Sequence, residues 1–193
     1  MNRITYDTVY KDPAPVLREK AVPLHIPLKQ KDLALAKRML RYVKDSRDDE
    51  KAEKYNLKAA VGIAAPQVGE LVQLICVVAE DEDGSEHEYL LANPKIISHS
   101  VQEAALSTGE GCLSIEDAHE GYVYRPARIK VRAYDVLAEE EKEIKVSGFV
   151  SIVMQHELDH LSGVLFYDHI NKENPWVKKE NAIILGESEV ENV

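Results

Sequence analysis

The sequence predicts an α+β fold of largely antiparallel sheets packed around a central helix, with one further helix near the N-terminus. Two segments with helical periodicity flank a group of short strands, and strands that follow one another without intervening helices favour antiparallel pairing. The 193 residues, 45% of them hydrophobic, suit one globular domain over residues 1–193. No pattern in the tail, residues 171–193, predicts a structure.

The N-terminal part of the chain divides into an arm and a helix. Four prolines interrupt the first 28 residues, which are therefore predicted to form an extended, turning arm. From Lys31 onward, apolar residues recur at helical spacing at Leu35, Met39 and Val43. This spacing predicts a helix of about 14 residues. The polar stretch 46–56 is predicted to hold the end of that helix and a surface excursion.

Two hairpins are predicted in the middle of the chain. The apolar run 71–79 is followed by an Asp-Gly pair at 83–84, which is favoured in tight turns, and by a second apolar run at 88–97. Residues 127–137 alternate apolar and polar side chains and meet a return strand at 139–148. The predicted sheet is therefore mainly antiparallel.

Charge and hydropathy exclude several classes of protein. The formal charge of −10 comes without the clustered basic residues that phosphate binding requires, so no nucleic-acid site is predicted. The longest apolar runs, 71–79 and 149–154, are much shorter than the roughly 20 residues of a membrane helix. The first residues lack the apolar segment of a secretory signal, which predicts a cytoplasmic protein with reduced thiols.

The second helix is predicted at 148–163, where apolar residues are dense and Gly163 can cap the C-terminus. It carries the sequence HELDH, in which His156 and His160 lie about 40° apart around the helix and can bind one metal ion. Glu157 would lie beside the metal, where it can take a proton from an activated water. Asp159 projects from another face, either to support a ligand or to face solvent.

Two imidazoles leave a divalent ion short of ligands, and the third ligand decides the chemistry. Cys112 is the best candidate, because Gly109 and Gly111 permit tight turning and close backbone approach around its thiol. Cys76 lies among apolar residues and is predicted to be a small buried hydrophobe. No further Cys or His lies at the spacing of a four-ligand structural zinc site, so an open fourth position indicates catalysis.

A third segment, residues 59–69, has small residues around Gly62 and contains the amide of Gln67. By itself it predicts either a close approach of a substrate backbone or a tight turn before the next strand.

In this order, the three segments resemble the peptide deformylases. The family pattern GxGxAAxQ, EGCLS and HExxH appears here at 60–67, 110–114 and 156–160. Residues 44–58 and the sequence after EGCLSI are similar to the second bacterial class of the family, found in Gram-positive bacteria and mycoplasmas. Ala60 stands where the family has its first glycine, so the turn there must have a φ that alanine can adopt.

The resemblance implies a hydrolase that removes the formyl group from the N-terminal formylmethionine of newly made proteins and releases formate. It implies one divalent metal ion, natively Fe²⁺, for which Ni²⁺, Co²⁺ or Zn²⁺ can substitute. The implied partners are N-formylmethionyl nascent peptides. A transient ribosome contact through the tail is left open, because Pro175 interrupts that segment.

The resemblance also implies a role for each residue of the site. The metal ligands would be Cys112, His156 and His160, and the catalytic groups Glu157, Gln67 and the backbone N–H of Leu113. Glu110 and Arg125 would form an ion pair that supports the cysteine loop. The substrate would be bound by Gly62, Gly111, Phe149, Ile152 and Val153.

Two other functions remain open at this point. A zinc peptidase of the broad HExxH class would need a third ligand downstream, at Asp168, His169 or Glu173. A noncatalytic binding module would carry HELDH merely as a solvated helix face. The remaining histidines have no ligand spacing and are predicted to be surface or hydrogen-bonded residues: His25, His87, His99, His119 and His169.

Overall fold

The structure, a computed structural model, describes residues 3–80 and 84–186. Over these residues the α-helices are α1 (Gln30–Ser46), α2 (Asp49–Tyr55) and α3 (Gly148–Leu161). The strands are β1 (Gly62–Ala64), β2 (Leu74–Glu80), β3 (Glu86–His99), β4 (Glu103–Leu106), β5 (Arg125–Pro126), β6 (Arg128–Asp135), β7 (Glu140–Ser147) and β8 (Ile183–Leu185). The predicted α+β class is confirmed.

The N-terminal arm is irregular, as predicted, and forms two short 3-10 turns at Tyr6–Thr8 and Pro15–Arg18. Leu17 in the second turn is fully buried and packs with Leu165 and Phe166, which follow α3. The arm therefore closes over the C-terminal end of the central helix.

The helix predicted from Lys31 is confirmed as α1, which is 17 residues long. The interpretation of 46–56 was incomplete, because a second helix, α2, forms within it. Asp48 caps α2 by accepting a hydrogen bond of 3.1 Å from the backbone N–H of Lys51, and Asn56 ends it with a φ of 51°. An aspartate followed by acidic residues in the first turn was the available signal for this helix.

The larger sheet has the strand order β1-β2-β3-β6-β7 and is antiparallel throughout. Both predicted hairpins are present, β2 with β3 and β6 with β7. In the turn of the first hairpin, Gly84 has a φ of 81°, whereas Asp83 lies outside the described residues.

The smaller sheet has the order β5-β4-β8, and β8 pairs with β4 in parallel. β8 belongs to the tail for which the sequence predicts no structure. Its residues are few, and its partner strand lies much earlier in the chain, so no local pattern indicates the pairing.

Strand β2 lies between two layers of the core. Leu74, Cys76 and Val78 pack on the side of α1, whereas the alternate side chains of β2 pack on the side of α3. A strand buried on both faces needs an apolar side chain at nearly every position. This explains the continuous run LICVVA and confirms that Cys76 is a buried hydrophobe.

Helix α3 is apolar on most of its surface because it is surrounded by the two sheets and the arm. Gly163 follows it with a φ of 73°, and a Cβ there would lie 2.6 Å from the carbonyl carbon of Arg18. The predicted cap is therefore confirmed, and only glycine fits it. No helix within the described ranges is long and apolar enough to cross a membrane.

Candidate metal centre

Cys112, His156 and His160 meet at one point of the structure. Their ligand atoms all lie within 4.8 Å of one another, and Cys112 Sγ is 3.3 Å from His160 Nε2. Bonds of about 2.0–2.3 Å to one shared ion bring nitrogen and sulfur ligands to separations of this order. In the described part of the chain, no other three Cys, His, Asp or Glu residues form such a group.

The two histidines come from α3, where they lie four residues apart and are almost fully buried. Cys112 comes from the loop between β4 and β5. Gly109 in that loop has a φ of 74°, and a Cβ there would lie 2.9 Å from the carbonyl oxygen of Gly121. Glycine is therefore required at 109 for the loop to bring the thiol to the helix.

The electrostatics of the cluster suit a cation. Burial lowers the pKa of His160 well below its usual value, so its ring is neutral and a nitrogen lone pair is available. Burial acts in the same direction on His156, but hydrogen bonds to Cys112 and Glu110 outweigh it and raise the pKa of this ring. The surroundings of His156 therefore favour positive charge, which a divalent metal ion would supply.

Glu157 lines the same cavity as Cys112 and His156. Its Oε2 atom is buried and has no hydrogen-bond partner among the described residues. Burial raises the pKa of Glu157 to about 7. A Cβ on Gly62 would lie 2.9 Å from Glu157 Cδ, so a glycine at 62 leaves the room that this carboxyl group occupies.

Gln67 is held with its amide nitrogen directed toward the thiol. Its Oε1 accepts a hydrogen bond of 2.8 Å from the backbone of Ala64. Its Nε2 donates to Ser114 Oγ at 3.1 Å and lies 3.6 Å from Cys112 Sγ. Ser114 is the last residue of the EGCLS segment, and the sequence predicts no role for it. In the structure it orients Gln67 by accepting this hydrogen bond.

Glu110 and Arg125 form the buried ion pair that the resemblance implies, with nitrogen to oxygen distances of 2.6 and 3.0 Å. Glu110 also lies 2.8 Å from His156 Nδ1. Burial alone would raise the pKa of Glu110, but hydrogen bonds from His156 and Arg125 lower it to about 2. Because the ionised carboxylate can only accept, His156 donates from Nδ1 and keeps Nε2 for the cluster.

A cavity of about 450 Å³ opens beside the cluster. Its apolar side is lined by Phe149, Ile152 and Val153, and Gln67 lies on its polar side. Among the described residues, nothing lies within 4 Å of a Cβ built on Gly111, which therefore borders open space. Other residues predicted for the site also line the cavity: Gly62, Glu110, Gly111, Cys112, Leu113, His156 and Glu157.

The third ligand that a zinc peptidase of the HExxH class would need is not brought to the two histidines. Asp168 pairs with Arg18, His169 contacts Asp159 at 2.8 Å, and Glu173 is exposed. The segment HELDH is largely buried, which is incompatible with a solvated helix face.

The φ of Ala60 is not positive, so the turn at the family's first glycine accepts alanine, as the sequence requires.

Three other histidines have contacts outside the cluster: His87 stacks on Tyr89, His119 stacks on Tyr167, and His99 contacts the carbonyl of Ser100.

Comparison with known sequences identifies relatives over nearly the whole chain. The model of the family described as "Polypeptide deformylase" matches residues 6–176. Peptide deformylase 2 of Bacillus subtilis is 47% identical over 182 residues, which cover 94% of this chain and 98% of that protein. The peptide deformylase of Pediococcus pentosaceus is 50% identical over 184 residues, covering 95% and 100%.

Solved structures agree with these relatives. Peptide deformylase 1B of Arabidopsis thaliana, solved in complex with an inhibitor, superimposes with a TM-score of 0.68 at 32% identity and covers 86% of this chain and 82% of that one. A class I type b peptide deformylase from Acinetobacter baumannii, solved with bound Met-Ala-Ser, has a TM-score of 0.66 at 29% identity, with coverage of 84% and 96%.

Proposed function

The chain belongs to the polypeptide deformylase family, and we propose that Cys112, His156 and His160 hold the metal ion on which its activity depends. It is a metal-dependent amide hydrolase that removes the formyl group from the N-terminus of new proteins. The observation that carries the proposal is the convergence of one thiol and two imidazoles beside an unpartnered buried glutamate.

When bound by these three residues, a divalent ion would supply Lewis acidity, which would polarise the formyl carbonyl and lower the pKa of the attacking water. A thiolate donates more charge than a third imidazole and makes the donor set softer. We propose Fe²⁺ as the native ion, with Ni²⁺, Co²⁺ or Zn²⁺ able to substitute.

Glu157 transfers a proton from the attacking water to the leaving amine. As the oxygen of water bonds to the formyl carbon, Glu157 Oε2 takes the proton that the water loses. The C–N bond then breaks, and Glu157 returns this proton to the departing amine nitrogen. The immediate products are formic acid and a peptide with a free N-terminal amine. The acid then gives its proton to the amine, which leaves formate and an ammonium group, so atoms and charge balance.

Gln67 and Leu113 stabilise the oxyanion that forms at the formyl carbon. The Nε2 group of Gln67 is fixed by Ala64 and Ser114 and faces Cys112, and the backbone N–H of Leu113 follows that cysteine. One such preorganised donor contributes about 3–4 kcal/mol to the stability of the transition state. The ion pair of Glu110 and Arg125 keeps the cysteine loop in place.

The methionine side chain would occupy the apolar side of the cavity, against Phe149, Ile152 and Val153. An unbranched thioether fits an apolar pocket of this kind. Gly62 and Gly111 would let the substrate backbone approach. The tripeptide Met-Ala-Ser bound by the Acinetobacter baumannii enzyme supports formyl-Met-Ala-Ser as a suitable substrate for this chain.

We further propose that the chain acts as one catalytic domain in the cytoplasm on formylmethionyl nascent peptides. These peptides arise at the ribosome, so a transient ribosome contact would bring enzyme and substrate together.

Metal content and formate release, measured on the same preparation of each protein, test the metal centre and the reaction together. Anaerobically purified, iron-loaded protein is expected to release formate from formyl-Met-Ala-Ser and to leave a peptide blocked at both ends intact. Cys112→Ser is expected to lose both metal and activity, whereas Cys76→Ala, which removes the other thiol, is expected to keep both. One equivalent of metal in Cys112→Ser would contradict the proposed ligand set, and cleavage of the blocked peptide would favour a general peptidase.

A further inference from the structure

A continuous chain of hydrogen-bonded charged side chains leads from the metal centre to the molecular surface. His156 Nδ1 lies 2.8 Å from Glu110 Oε2, and Arg125 donates to both oxygens of Glu110. On its other side, Arg125 Nη1 donates to Asp159 Oδ2 at 2.7 Å. His169 Nε2 lies 2.8 Å from the same oxygen of Asp159.

From Glu110 outward, exposure increases along this chain. The side chains of Glu110 and Arg125 are 4% and 5% exposed, that of Asp159 is 22% exposed, and that of His169 is 37% exposed. A second cavity, of about 410 Å³, borders Arg125, Asp159 and His169. His169 does not line the reaction cavity, and its side chain contacts Asp159, which lies one residue before His160 on α3.

The same contacts join the two backbone segments that carry the metal ligands. Glu110 precedes Cys112 in the loop, whereas His156 and Asp159 lie three residues apart on α3. Glu110 contacts the helix directly at His156, and through Arg125 it contacts the helix one turn later at Asp159. Two attachment points on successive turns restrict both the distance and the rotation of the loop relative to the helix.

We propose that Asp159 and His169 are positioning residues for the metal centre. His169 holds Asp159, Asp159 holds Arg125, and Arg125 keeps Glu110 against His156. The inference rests on the proposed role of His156 as a ligand. A hydrogen bond to the second nitrogen of a ligating histidine orients the ring and strengthens its bond to the metal.

Removal of His169 leaves Asp159 Oδ2 with one partner instead of two, next to solvent. The carboxylate can then turn away from Arg125, whose guanidinium is almost fully buried. The second attachment of the loop to α3 weakens, and the separation of Cys112 from the histidines is less restricted. The ion is therefore expected to leave the site sooner.

The rate of metal release tests this role without using activity. In Co²⁺-loaded protein mixed with excess EDTA, the absorption of the cobalt–thiolate bond reports loss of the ion. His169→Ala is expected to release cobalt about tenfold faster than the parent. Asp159→Asn, which keeps the shape but not the charge, is expected to do the same. His169→Gln, whose amide N–H can reach the same oxygen, should restore the parental rate.

His99→Ala is the matched control, because it removes an exposed histidine that contacts only the carbonyl of Ser100 among the described contacts. Its release rate should equal that of the parent. A positioning role also requires the thermal midpoint of metal-free His169→Ala to match that of the metal-free parent. Parental release from His169→Ala, failure of His169→Gln to restore it, or equal destabilisation of the free and loaded forms would each overturn the inference.

The metal centre and the positioning role fail in different ways. Retention of metal by Cys112→Ser would refute the centre itself, and with it the inference. Loss of metal from Cys112→Ser together with parental cobalt release from His169→Ala would refute the positioning role alone.

Discussion

Two glutamates, Glu110 in the cysteine loop and Glu143 on the β6–β7 hairpin, have the same pKa of about 2 for different reasons. Glu143 is bonded by Lys130 and Arg132 and faces solvent. Glu110 reaches the same value against the opposing effect of burial, through His156 and Arg125.

The pKa of a carboxyl group therefore does not reveal how much its ion pair contributes to the stability of the fold. Around Glu143, water readily replaces a lost partner, so the ion pairs there contribute little to the free energy of folding. Around Glu110, loss of the carboxylate leaves the Arg125 guanidinium charged and buried with only Asp159 beside it. Burial, rather than the strength of the bond, separates a dispensable ion pair from one that the fold and the metal centre require.

The largest effect is expected at Glu157, the buried carboxyl group that is proposed to transfer the proton. Glu157→Gln keeps the shape of the side chain but cannot accept a proton, so kcat should fall by about 10²–10⁴-fold while metal content stays at the parental level. Formate release and metal analysis on one preparation measure both. Parental kcat in a metal-loaded Glu157→Gln protein would remove Glu157 from the mechanism.

The second-largest effect is expected at Gly62, which leaves room for the carboxyl group of Glu157. In Gly62→Ala, the added methyl group overlaps the position of Glu157 and displaces its carboxyl group. A displacement of this kind is expected to lower kcat/KM by about a hundredfold with little change in metal content. An active Gly62→Ala protein would show that Glu157 tolerates displacement.

Removal of the buried charge tests the comparison of the two glutamates directly. Glu110→Gln should lower the free energy of unfolding by about 3 kcal/mol, because it leaves a buried guanidinium incompletely paired. It should also weaken metal binding by at least roughly tenfold, since His156 loses its anionic partner. Chemical denaturation and a metal-binding titration measure these two changes.

The smallest effect is expected at the exposed glutamate. Glu143→Gln should leave the thermal midpoint, the metal content and kcat at parental values, because water and salt screen its pairs with Lys130 and Arg132. Equal losses of stability in Glu110→Gln and Glu143→Gln would contradict the distinction between the two regions.

The sequence was sufficient wherever the evidence was local. The spacing of His156 and His160 places both rings on one helix face by geometry alone, and the alternation in β6 and β7 indicates their pairing. The deformylase family followed from three short segments read together. Helix α2, which was missed, carried a local capping signal at Asp48.

Only the tertiary structure could decide which distant side chains meet. The pairing of β8 with β4, the contact of Ser114 with Gln67, and the convergence of Arg125 and His169 on Asp159 all join segments far apart in the chain. No periodicity encodes such contacts, because they depend on how the sheets and α3 pack against one another. The same residue types at the same spacing, on a different packing of these elements, would be ordinary surface charges.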